Sequence, residues 1–462
     1  MKIKRWIYDW VPLIGILFCF LYLNRAVIDV AYTDYIRLIN AYLPDVWNPQ
    51  KFFVADVLTR IPLNYVERIV NVTFFGYNTV VEMALGVLGL GASAWVLASY
   101  CKKQQFSLGW YLSLMFLLFG LNKWEMLTNG TGWVHFAAFA CFYYHYTVLD
   151  RVYRQEARPH DKLRMCLLPF AITLGVAGPY CAVYSAVLIL ACLWTMGLRL
   201  QRAKSFRAVR TQLGEWLLYL LCALLPLLLY MWSNAHTVEE HAGAVDASLV
   251  DTLLEQPLFF VQFFFSSFAS TVLGDECIRQ ICQEDGQIVL LGVFVVACYV
   301  FALVLNLRYR LYERTLLPLL LLAAGGMNHV LILLSRWIFM NVDYGMSSRY
   351  ALQFQVGIFG ILLTFACLKE RVRKTVPRRV LFGVAVCITA VFLAGNSYTG
   401  WKEWEKAPYR KNNLIEKREA ALRYEEWSDE ELETIFQYKK GPEQIRRALG
   451  ILKENHWNVF RE

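Results

Sequence analysis

A carboxylate and a guanidinium, each at the edge of a long apolar run, are the side chains best suited to chemistry. In "DVAYTDYIRLINAYLPD", Asp34 stands a few residues beyond the first apolar run. After it, Tyr35, Ile36, Leu38, Ile39, Tyr42 and Leu43 recur at helical spacing, with Arg37 and Asn40 on the other face. An acid held by such a platform just above a bilayer could act as a general base. It could equally cap the helix that starts there. In "MNVDYGMSSRYALQFQVGIFGILL", Arg349 and Tyr350 enter another apolar run behind Asp343, Ser347 and Ser348. A guanidinium at that point can grip a phosphate through paired hydrogen bonds, backed by the N–H groups of a helix N-terminus. It can also anchor the helix at the lipid surface. "LNKWEMLTNGTGW" brings Lys123 and Glu125 to a hairpin tip, as ligand-binding charges or as solvated ones.

The elements that position these residues follow from composition and charge. The chain has 462 residues, 57% hydrophobic and only 18% charged, the balance of a polytopic membrane protein. Its net charge of +9 is therefore a question of which loops are basic, and no nucleic-acid partner is expected. Apolar runs at roughly 10–27, 78–100, 107–122, 133–149, 164–177, 180–198, 214–233, 287–307, 315–338, 351–368 and 379–395 predict an all-α fold with about eleven crossings. Basic clusters precede the first run and follow the second, fourth, sixth, eighth and tenth, so all fall on one side. The positive-inside rule then puts the N-terminus in the cytoplasm and the C-terminus outside. The apolar segment 257–274 would invert that pattern if it crossed, so it reads as an interfacial or re-entrant helix.

Three outer segments are large: a first loop over 28–77, a second over 234–286, and a tail over 396–462 beyond a transmembrane domain of 1–395. The first loop carries a second amphipathic stretch, "FFVADVLTRIPLNYVERIVNVTFF", expected to lie on the membrane surface. The tail reads as short soluble helices, with Ser428 and Glu431 at capping-box spacing and a break at Gly441-Pro442. Of the twelve cysteines most are small apolar-run residues; Cys277 and Cys282 share a polar loop and would be able to bridge in an oxidising compartment. Asn328 and His329 lie inside an apolar run beside Gly325-Gly326, where close helix packing with a hydrogen bond is the simpler reading.

Together these features resemble the GT-C class of integral-membrane glycosyltransferases. The likeness covers an N-in first helix, a large first outer loop with an early acid and amphipathic helices, many crossings with short inner loops, and an outer C-terminal tail. The "SSRY" of Ser347–Tyr350 is similar to a motif at the outer end of a late helix in such bacterial proteins. The resemblance implies a polyprenyl-phosphate-linked sugar as donor, an extracytoplasmic glycan or lipid acceptor, and inverting transfer of a hexosyl or pentosyl group. It implies Asp34 as base and Arg349, with Tyr350 and Ser348, as the hold on the lipid phosphate. Asp29, Arg37, Lys123, Glu125 and Asp343 are the further substrate-binding candidates. "YTDY" has one acid where many members have two, which leaves a divalent metal open, with Asp29 the nearby substitute.

Short inner loops and the lack of disulfide-dense loops suit a bacterial cytoplasmic membrane with its active site on the outer face. A Wzy-like polymerase or ligase would place its main outer loop late and keep both termini inside. A transporter or flippase predicts paired repeats and charges near the midplane. An envelope scaffold finds its best support in the tail.

Overall fold

The computed structural model describes residues 2–52, 61–203, 206–235, 244–245, 247–371, 375–439 and 441–461. Among them 83% are helical and none is in a strand. The α-helices are α1 (Lys2–Ala26), α2 (Asp34–Tyr42), α3 (Pro62–Phe75), α4 (Thr79–Lys103), α5 (Leu108–Leu118), α6 (Trp124–Thr128), α7 (Trp133–Tyr153), α8 (Asp161–Gly175), α9 (Cys181–Arg202) and α10 (Phe206–Asn234). They continue with α11 (Leu249–Glu255), α12 (Pro257–Ala269), α13 (Asp275–Ile281), α14 (Asp285–Arg308), α15 (Leu317–Arg336), α16 (Ala351–Arg371), α17 (Thr375–Leu422), α18 (Asp429–Phe436) and α19 (Pro442–Glu454).

Eight stretches among the described residues are long and apolar enough to cross a membrane, against the eleven crossings expected. The other three runs are helical, for identifiable reasons short of that standard. α5 has 11 residues and α8 has 15, about 17 and 23 Å of helix against a hydrocarbon core of roughly 30 Å. α7 has the length, with 21 residues, but carries His135, His145, Asp150 and Arg151. Most of its surface is buried by neighbouring helices, so it can afford those polar side chains. The segment expected to lie at the interface becomes α12, with 13 residues, about 20 Å long and too short to span.

Close backbone approach holds the bundle together. A side chain at Gly89 would meet the Ala137 backbone nitrogen at 2.9 Å, which lets α4 lie against α7. One at Gly325 would run into the Gly357 backbone, so α15 and α16 pack tightly there. Beside that crossing Asn328 Nδ2 donates to the Gln353 carbonyl at 3.3 Å. The His329 ring is sandwiched between Phe268 and Phe354, with Nδ1 2.8 Å from Ser267 Oγ. These two polar residues therefore serve packing, as the simpler reading expects.

The two ends of the bundle differ in charge. At one end Lys102 pairs with Asp9, Lys103 with Glu156, Arg202 with Glu313 and Lys162 with Glu215. The loops that carry the basic clusters thus meet one another. At the other end gather α2, α3, α6, α13 and the C-terminal helices. α17, at 48 residues, carries the last apolar run as one continuous helix into the tail. Arg410 on its far half stacks over Trp124 and pairs with Glu276 and Glu403, tying α6, α13 and α17 together. Cys277 and Cys282 are free thiols. Five positions apart on α13 and its cap, they point about 140° apart around the axis.

Candidate functional site

α2 is entered through Thr33, which occupies the cap position, so Asp34 is the first helical residue and not the cap. Thr33 holds φ at +46°, a conformation that a β-branched residue adopts only under constraint. That constraint comes from the tail: the Thr33 N–H donates to the Phe436 carbonyl at 2.9 Å. Asn40 Nδ2, further along α2, donates to the Gln444 carbonyl at 2.8 Å. With its capping duty taken by Thr33, the Asp34 carboxylate is left half-buried on the wall of a cleft of about 170 Å³.

Arg37, Glu125, Arg349 and Tyr350 line the same cleft. The "SSRY" turn precedes α16, and its two polar side chains close on the hairpin tip. Arg349 Nε lies 2.5 Å from Glu125 Oε1, and Ser348 Oγ donates to Glu125 Oε2 at 3.0 Å. Asp34 is near enough to act on the Arg349 charge. Tyr350 is buried, its ring 6.0 Å from the Arg336 guanidinium.

The remaining candidates sit elsewhere. Asp29 is a structural pin: it accepts from the Thr79 N–H at 2.8 Å, Thr79 Oγ1 at 2.9 Å and Asn458 Nδ2 at 2.5 Å. Burial raises its pKa, and those bonds act against the rise. Lys123 is wholly buried under the hairpin, donating to the Leu118 and Gly120 carbonyls at 2.9 and 2.7 Å. Burial pushes its ammonium down to about 7. Asp343 is exposed and pairs with Arg279.

The cleft also contains charges that the sequence reasoning passed over. Arg336, in the last turn of α15, has no carboxylate partner among the described residues, and its Nε meets no acceptor. Its signal was available, since it is another arginine at the end of an apolar run. Glu67 and Arg68 come from α3, whose Val66, Val70 and Phe74 are exposed while Glu67, Arg68 and Asn71 are buried. This helix turns its polar side to the protein and its apolar side outward, as an interfacial helix must if its polar face lines a site. Glu82, near the start of α4, accepts from the Tyr35 hydroxyl at 2.7 Å. Glu67 lies against it, and burial first and Glu82 second push the Glu67 carboxyl up to about 9.

The chain matches no family model, no curated protein and no solved structure. The Asp34 carboxylate stands within electrostatic reach of a guanidinium already balanced by an acid, and a second guanidinium, with no carboxylate partner among the described residues, lines the same cleft. Asn64, Asn129, Thr131 and Trp133 add hydrogen-bonding groups and an aromatic face. Such a site can hold an anion at one end and a hydroxyl compound at the other. Among the described residues no three His, Cys, Asp or Glu side chains gather as a metal site.

Proposed function

We propose that this membrane protein is a glycosyltransferase that moves a hexosyl or pentosyl group from a polyprenyl-phosphate donor to the hydroxyl of an outer glycan or lipid. The observation that carries the reading is the meeting in one cleft of Asp34, from the start of α2, with Arg336 and Arg349, some 300 residues later at the end of α15 and in the turn before α16. The acceptor oxygen attacks the anomeric carbon as the bond from that carbon to the phosphate oxygen breaks. Asp34 takes the acceptor proton, and the lipid phosphate leaves as an anion held by the two guanidinium groups, with Tyr350 alongside. A phosphate leaves without protonation, so stabilising its charge matters more than supplying an acid. Back-side attack inverts the anomeric configuration.

The positive-inside rule orients the basic end toward the cytoplasm and the cleft outward, which suits a bacterial cytoplasmic membrane. The outward apolar face of α3 would lie in the outer interface beside the cleft. The likeness to the GT-C class rests on this arrangement and on the short "SSRY" turn. Asp29 and Lys123 are left out of the chemistry, because each is committed to holding backbone and loops.

The test is binding of a polyprenyl-phosphate sugar to purified protein, together with release of polyprenyl phosphate in the presence of membrane-extracted acceptors. Asp34→Asn is expected to bind donor as the wild type does and to release nothing. Saturable donor binding that is absent from the wild type would overturn the reading in favour of a scaffold. Binding without turnover under any acceptor would point to a transporter.

A further inference from the structure

A second groove lies at the opposite, basic end of the bundle, between α4 and α7. It has a volume of about 280 Å³ and is bordered by Trp95 and Val96 on one side and by Lys103, Arg151, Arg154 and Arg158 on the other. Trp95 is 43% exposed on the apolar surface of α4, so the groove opens toward lipid where a headgroup would meet a chain.

The cations here are only partly satisfied. Arg151 gives Nε and Nη2 to Asp161, at 2.8 and 2.9 Å. Arg154 gives Nε to Asp150 and Nη1 to Glu156, at 3.1 and 3.0 Å. Among the described residues each guanidinium thus keeps one Nη group without an acid, held in place by a buried carboxylate on its other edge. Asp150 is itself fixed by Thr315 Oγ1 and the Leu316 N–H, at 2.8 and 2.6 Å. Among the described residues Lys103 reaches only Glu156, which is half-exposed and shared with Arg154. The Arg158 side chain is exposed. Among the described residues the local balance, counting Arg164 on Asp161, is five cations against three acids.

We propose that this groove binds the phosphate of an anionic phospholipid, whose acyl chains run along the exposed face at Trp95. A rigid pair of guanidinium groups with open Nη donors suits two phosphate oxygens. Basic pockets between membrane helices on the cytoplasmic side are suited to anionic headgroups. The proposal is independent of the transferase reading, because it concerns the other end of the bundle.

The experiment titrates detergent-purified full chain with phosphatidylglycerol and with phosphatidylcholine, counting bound lipid by native mass spectrometry. The wild type is expected to retain phosphatidylglycerol in preference to phosphatidylcholine, and inorganic phosphate should not displace it. Lys103→Gln with Arg158→Gln should weaken phosphatidylglycerol binding about tenfold. Arg308→Gln with Arg378→Gln, exposed charges outside the groove, should leave it unchanged. If the groove double variant loses stability, Arg158→Gln alone serves as the readout. Equal retention of the two lipids, or equal loss in the control pair, overturns the proposal. Displacement by inorganic phosphate overturns the lipid assignment in favour of a free-anion site.

Discussion

Glu125 and Arg349, 224 residues apart in the chain, form an ion pair across the cleft, and Ser348 holds the same carboxylate. The arginine proposed to hold phosphate is therefore already neutralised before any ligand arrives. An incoming phosphate must compete with Glu125 for the guanidinium. Removing that charge should favour the ligand. Glu125→Gln is expected to tighten binding of polyprenyl phosphate about threefold, since a partly exposed pair is worth only about 0.5–1 kcal/mol. Isothermal titration in detergent reads this directly, and weaker binding in the variant would make Glu125 a ligand contact in its own right.

Arg336 differs from Arg349 in having no carboxylate partner among the described residues, and its Nε meets no acceptor there. The anion should then lean more heavily on Arg336. Arg336→Ala is expected to weaken polyprenyl-phosphate binding by about 2–5 kcal/mol, and Arg349→Ala by less. Comparing the two variants at equal salt checks the order. A larger loss at Arg349 would show that Glu125 moves aside on binding.

The parts of this site that are legible in the sequence are those at the ends of apolar runs. Asp34 and Arg349 stand out there because a charge next to lipid needs a reason. Arg336 obeys the same logic, but it lies inside the apolar run 315–338, where the flanking apolar residues mask it. Glu67 and Arg68 were hidden by the amphipathic pattern of α3. Periodicity says that one face is apolar, and it does not say whether lipid or protein covers it. Here the exposed residues are Val66, Val70 and Phe74, so the polar face is the buried one. The number of crossings is less legible for a related reason: among the described residues eight stretches have the length and apolarity of a span, while α5 and α8 are apolar but short, and α7 carries polar side chains that its neighbours bury. Lys123 shows the limit of reasoning from a loop position. Nothing in "LNKWEM" reveals that its ammonium folds back onto two carbonyls.

The tail holds the acid-bearing loop through Asn458. Its Oδ1 accepts from the Ala31 N–H at 3.0 Å, its Nδ2 donates to Asp29, and its own N–H donates to the Gly76 carbonyl at 2.9 Å. Asn458→Ala would strand the Ala31 N–H and one bond of Asp29, at about 1–3 kcal/mol for each buried group left unpaired. The expected outcome is faster hydrogen exchange over residues 27–42 and loss of transfer, with the transmembrane helices unaffected. Unchanged exchange in α2 would mean that the contacts with Phe436 and Gln444 suffice to hold Asp34 in place.

The Glu67 carboxyl is raised from 4.5 to about 9 by burial and by Glu82 beside it. The folded protein therefore keeps a proton there that the unfolded chain releases above pH 4.5. A raised pKa in the folded state gives a contribution to stability that is fully present below the unfolded value and fades as pH climbs toward the folded one. Stability should accordingly fall between about pH 4.5 and 9 by this route. Glu67→Gln keeps the shape of the protonated acid and cannot ionise, so it removes this slope. The melting temperature of the variant in detergent is expected to vary less with pH than that of the wild type, and to exceed it toward pH 9. Parallel curves for the two proteins would mean that Glu67 is ionised in the fold, with Arg68 carrying its charge.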